Sequence, residues 1–108
     1  MIKAYYQLVR DKVPDIIKKK NMTPVYRKLN ETEFKYYLKL KLKEEMEEMT
    51  REEDPTQVAK NLVDILEVIK YLKKEYKISD KQLKKLHNEK IQEKGLFDKK
   101  LFLVLTDE

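Results

Sequence analysis

Glu44-Glu45-Met46-Glu47-Glu48 places four carboxylates within five residues, and Asp64 lies inside the apolar run from Leu62 to Ile69. Asp54-Pro55 stands midway between the two. If helices run into and out of a turn at Asp54-Pro55, Glu45 and Asp64 are equally far from it along the chain. With a rise of about 1.5 Å per residue, both sit roughly 14 Å from the hairpin tip, at one level. Carboxylates converging at one height between two helices are costly as core, but they suit a hard cation such as Mg2+, with Mn2+ a second candidate. Glu45 and Glu48, three residues apart, point the same way from one helix, and Asp64 faces them from the next. Three such ligands leave positions for water and phosphate oxygens, and Glu44 could accept a proton from a metal-activated water. The same residues could instead form i,i+4 salt bridges with Lys41 or Lys43, or a polar helix-helix contact.

The elements that must position these groups are legible in outline. Asn30 with Glu33 forms a capping-box pattern, opening a helix expected to run to about Glu52. At about 100° per residue its apolar stripe is Phe34, Leu38, Leu42 and Met49, and Glu45 falls in the middle of that stripe. A solvated acidic run would keep all its charges off the apolar face, and this one does not. Asp54 and Pro55 cap and begin the next helix, which is expected to end near Tyr76-Lys77. Its expected buried face is Val58, Leu62, Ile65, Leu66, Ile69 and Leu72, bordered by Asn61, Asp64 and Glu67. A short helix with Asp11 as cap and Pro14 in its first turn is expected to bury Val13, Ile16 and Ile17 and to end near Asn21. Residues 22–29 read as a connector with room for a short strand. Ser79 with Gln82 opens a last helix that Gly95 stops. The segment before Asp11 reads as extended, and Leu101-Phe102-Leu103-Val104-Leu105 reads as a strand or an extended tail packed on the bundle.

Bulk properties agree with a folded helical protein. Charged residues make up 42% of the 108-residue chain and mean hydropathy is −0.79, but the 41% hydrophobic residues are periodic rather than scattered. The length suits one domain spanning residues 1–108 with a modest core, which oligomerisation would supplement. With no cysteine there is neither a disulfide nor a thiolate site. The first residues lack the apolar core of a signal peptide and no stretch approaches membrane-spanning length, so the expected location is cytoplasmic, with no membrane partner. The net charge of +5 suits a polyanionic partner, or simply solubility. Tyr5, Tyr6, Tyr36, Tyr37 and Tyr71 could stack a base or pack in the core. His87, the lone histidine, reads as an interface or surface residue.

Lys41-x-x-Glu44-Glu45-x-x-Glu48, followed after a short turn by Asp64 in an apolar helix, resembles the MazG-like nucleotide pyrophosphohydrolase superfamily, which includes the phosphoribosyl-ATP pyrophosphohydrolases. Leu8-Val9-Arg10-Asp11-Lys12-Val13-Pro14-Asp15-Ile16-Ile17 and Lys94-Gly95-Leu96-Phe97 are similar to a small single-domain branch of it. The resemblance implies an all-α antiparallel helical bundle with short extended terminal segments, forming a homodimer or homotetramer through its helices. It implies Mg2+-dependent cleavage of a nucleoside triphosphate between the α and β phosphates. It assigns Glu45, Glu48 and Asp64 as metal ligands with Glu44 close by, and makes Arg10, Lys12, Lys41, Lys90 and Lys94 candidates for phosphate contacts. The family usually carries an acid three residues before the aspartate. Here that place is Asn61, whose amide oxygen can ligate Mg2+ without adding charge. Leu96 and Lys94 likewise stand where a second glycine and an arginine are common. The alternatives are a catalytically weakened nucleotide-binding or interaction protein, and a basic helical nucleic-acid-binding module. The last lacks a helix-turn-helix signature and an aromatic-basic interleaving of the kind expected for base stacking.

Overall fold

The computed structural model describes residues 1–108 and contains four helices and no strand: α1 (Val13–Lys19), α2 (Glu31–Thr50), α3 (Pro55–Glu75) and α4 (Asp80–Lys94). The protein is therefore all-α. No helix is long and apolar enough to cross a membrane. The chain forms two compact units, Met1–Lys77 and Ile78–Glu108.

In the first unit the helix ends follow local chemistry. The Glu33 amide donates to Asn30 Oδ1 at 2.8 Å and the Asn30 amide donates to Glu33 Oε1 at 3.2 Å, closing a capping box at the start of α2. Arg27 adds two bonds to the Glu33 carboxylate, at 3.1 and 2.6 Å. The guanidinium, and then the Asn30 amide, pull the Glu33 pKa down to about 2. Asp54 accepts from the Thr56 amide at 3.2 Å and Pro55 begins α3. The short turn at Arg51–Asp54 folds α3 back along α2. Asn61 meets Glu45 and Glu48 near the turn, while Phe34 meets Tyr71 edge-on at 6.2 Å toward the open end, so the pair is antiparallel.

The core is the seam between these two helices. Leu38 and Val68 are its buried apolar residues, at 2% and 7% exposure. Leu38 sits on the expected stripe of α2. On α3 the buried side is narrower than the sequence pattern suggests. Val58, Ile65 and Leu72 are half-buried as expected, but Leu62, Leu66 and Ile69 are exposed. The apolar face of α3 is wider than one neighbouring helix can cover, and α2 lies on the side that carries Asn61 and Val68. Leu38→Ala should therefore cost about 2–4 kcal/mol, which for a chain of this size lowers Tm by at least about 8 °C. A loss too small to detect in thermal CD would show that the seam is not the source of stability.

The N-terminal elements differ in detail from expectation. Lys12, not Asp11, is the N-cap of α1, and no side chain caps it; Pro14 is in the first turn as expected. The first turn closes instead through backbone bonds, from the Val13 amide to Arg10 O and from the Ile16 amide to Lys12 O, both 3.0 Å. Val13 and Ile17 are half-buried, whereas Ile16 is exposed. Asn21 takes a left-handed φ of 60° just after the helix, a conformation its short polar side chain tolerates. Residues 22–29 form a connector without the short strand.

In the second unit the Gln82 amide donates to Ser79 Oγ at 3.0 Å, and Gly95, with φ 80°, ends α4. Leu101–Leu105 form no strand, and all five side chains are exposed. Their apolar pattern alone cannot make a strand, because no partner strand is present to take up the backbone hydrogen bonds.

Candidate metal centre

α2 and α3 together bury two polar side chains, and both come from the acidic motif. Glu45 is 8% exposed and Asn61 is 7% exposed. Asn61 Nδ2 donates to Glu45 Oε2 and to Glu48 Oε2, each at 3.2 Å. The carboxylates one turn apart on α2 thus converge on a single group presented by α3. This explains why Glu45 can occupy the apolar stripe: its charge is met by the positive end of an amide dipole rather than by water.

Asn61 turns its amide nitrogen, not its oxygen, toward the acids. Between two acceptors the NH2 group is the favourable neighbour, whereas the oxygen would repel both. Asn61 as a metal ligand would have to rotate its amide by about half a turn about χ2 to present Oδ1.

Asp64, one turn along α3 from Asn61, is half-exposed and engages Arg10 instead. Arg10 Nη2 donates to Asp64 Oδ1 at 2.8 Å, linking residues 54 apart in sequence. That hydrogen bond raises the Arg10 pKa above its ordinary value, against a smaller opposing effect of desolvation. Through-space attraction to Asp64, Glu67 and Glu45 adds to it. Arg10 therefore lies in a negative field to which both helices contribute.

The structure thus brings together Glu45, Glu48 and Asn61, and sets Asp64 beside them with Arg10. It does not gather three or more carboxylate or imidazole groups in a ready-made metal cluster. The donors nevertheless suit a hard divalent cation. They are oxygens throughout once Asn61 rotates, and two of them already point at a common positive group whose place a cation would take. Glu48 is exposed, which leaves that side of the pair open to water.

The remaining sequence candidates lie on several elements of the two units. Lys41 and Glu44, both half-buried, line a shallow recess on α2 with Tyr37 and Leu40, against which Tyr6, Gln7 and Leu8 lie. Lys12 is exposed at the start of α1. Lys90 and Lys94 are exposed on α4 in the second unit, as is His87. Glu67 is half-buried on α3.

Two features are absent from the sequence-based expectations. One is the Arg10–Asp64 pair. The other is an interleaving of lysines with tyrosines at the open end of the hairpin. Lys35 and Lys39 of α2 stand 5.0 and 4.9 Å from the Tyr76 ring centre, and Lys70 and Lys74 of α3 stand 5.6 and 5.1 Å from that of Tyr71. Tyr71 thus packs within the first unit, against Phe34 and its own lysines. The i,i+4 spacing of each lysine pair beside a tyrosine is the sequence signal for this interleaving.

Charge is correspondingly divided along the hairpin. Between Glu44 and Glu67 there are nine acidic and two basic residues, whereas residues 31–43 and 68–77 together carry eight basic and three acidic ones. The turn end attracts cations and the open end attracts anions. Comparison with protein-family models, with curated proteins and with solved structures finds no match for this chain.

Proposed function

We propose that this chain is a Mg2+-dependent nucleoside triphosphate pyrophosphohydrolase of the MazG-like kind, releasing a nucleoside monophosphate and pyrophosphate. The observation that carries the reading is the convergence of Glu45 and Glu48 on position 61 across the hairpin, with Glu45 buried. Burying a carboxylate is expensive, and a site that will receive a cation is one setting in which that cost is offset.

In this reading Glu45, Glu48 and Asp64 hold the ion, with the Asn61 amide oxygen as a neutral fourth donor after rotation. Mg2+ would supply Lewis acidity and charge neutralisation at the phosphoanhydride. The chain's own residues do the rest. Glu44 accepts a proton from the attacking water, Lys41 beside it offsets its charge, and Arg10 and Lys12 meet phosphate oxygens. Lys90 and Lys94 are further candidates for phosphate contact. The exposed apolar side chains Leu62, Val63 and Leu66 on α3 support a homodimer or homotetramer formed through the helices.

A screen of nucleoside triphosphates, with and without Mg2+ and with product identification, tests the reading. Stoichiometric monophosphate and pyrophosphate that disappear with chelator are expected. Release of orthophosphate instead, or no turnover of any nucleotide despite measurable metal binding, would reject it. The second of those outcomes would favour a nucleotide-binding protein without turnover, for which Asn61 gives a specific reason: it neutralises the acids without adding the family's usual charge.

A further inference from the structure

Arg10, a candidate for phosphate contact, is bonded in the structure to Asp64, a proposed metal ligand. The ion pairs Arg27–Glu33 and Lys35–Glu31 are local in sequence, but Arg10 reaches 54 residues to Asp64. It comes from the segment before α1, which has neither helix nor strand to hold it. The contact is one hydrogen bond, Nη2 to Oδ1 at 2.8 Å, rather than a two-pronged fork. Both side chains are substantially exposed, 58% for Arg10 and 40% for Asp64.

We propose that Arg10 is a resident counter-cation of the metal centre, displaced from Asp64 when a divalent ion binds, so that Arg10 becomes free to meet phosphate only once the ion is in place. This rests on the assignment of Glu45, Glu48 and Asp64 as metal ligands. The physical grounds are separate from it. A guanidinium and a divalent ion on the same carboxylate repel each other across a few ångströms. An exposed, singly bonded pair is weak, so the stronger charge wins. Once displaced, the guanidinium has lost its carboxylate partner while the Arg10 backbone remains anchored by the Val13 amide, so it is free to pair with an anion that follows the ion. The consequence is an order of events, with metal first and anionic substrate second.

Two measurements that need no turnover test this. The first is calorimetric titration of Mg2+ into the wild type, Arg10→Gln and Asp64→Asn. Loss of a competing exposed pair should tighten Mg2+ binding to Arg10→Gln by about two- to fivefold, and Asp64→Asn should bind poorly. The second follows the arginine Nε–Hε signals by NMR; Arg10, Arg27 and Arg51 are the chain's arginines, and Arg10→Gln identifies the signal of interest. On Mg2+ addition the Arg10 signal should move to the position it holds in metal-free Asp64→Asn. If the wild type binds Mg2+ while that signal stays still, or if Arg10→Gln binds no more tightly, the displacement idea fails and the metal centre stands. If neither wild type nor Arg10→Gln binds Mg2+, both fall. Should Arg10→Gln not fold, as judged by CD, Arg27→Gln and Arg51→Gln identify the Arg10 signal by elimination, and the wild-type NMR titration decides.

Discussion

Glu45→Gln is expected to lower Mg2+-dependent pyrophosphate release by at least about 100-fold, a loss at the upper end of that seen when a ligand's supporting partner is removed. Asp64→Asn should do the same. The reason to expect a clean loss of chemistry rather than of structure lies in the contacts. The glutamine oxygen can still accept from Asn61 Nδ2, so the buried pair keeps its hydrogen bond while losing its charge. A neutral side chain is also cheaper to bury, so the thermal midpoint without metal should stay level or rise. Asp64 lies at the surface of the hairpin and its main contact is Arg10, so its substitution leaves the seam intact. Retained helical CD with lost turnover and lost Mg2+ binding is the outcome that agrees with the metal assignment. Turnover persisting in both variants would remove its basis.

Asn61→Glu is the second large effect, and it should have opposite signs with and without the ion. In chelator it replaces a donor by a third carboxylate between Glu45 and Glu48, at a position only 7% exposed. Two acceptors lose their shared donor and gain a repelling neighbour, which should cost about 3–5 kcal/mol, as breaking a buried pair does. That corresponds to a fall of at least about 12 °C in Tm. With Mg2+ the added charge becomes a ligand, and affinity should rise by about tenfold or more over the wild type. Differential scanning calorimetry with and without Mg2+ checks both halves. A variant destabilised equally in both conditions would place Asn61 away from the ion.

Much of the local structure could be read from the sequence because its signals are satisfied within a few residues. The Asn30–Glu33 box, the Asp54-Pro55 start, the Ser79–Gln82 cap and the Gly95 stop each depend on backbone groups one turn away. Glu45 was legible for a related reason: helical geometry alone puts it among Phe34, Leu38 and Leu42. What the sequence left undetermined depends on which side of α3 meets α2. An apolar face as wide as Val58 to Leu72 accommodates several rotations about the helix axis, and only the pairing selects Asn61 and Val68 for the inside. Asn61 itself was readable as a candidate beside the acids but not as a donor to them, since the direction of an amide is set by its neighbours. The Arg10–Asp64 pair was beyond reach because nothing in either residue's local pattern refers to the other.

The amide bridge between the helices also bears on how the hairpin finds its alignment. Sliding α3 by one turn along α2 would still bring aliphatic groups together, since leucine, isoleucine and valine recur along it. It would, however, separate Asn61 Nδ2 from Glu45 Oε2 and break the buried bond between them. Those misaligned states are penalised far more by polar mismatch than by lost oil-like contact. A two-helix seam whose buried apolar residues are Leu38 and Val68 thus draws on the hydrophilic trio to favour one alignment over its neighbours.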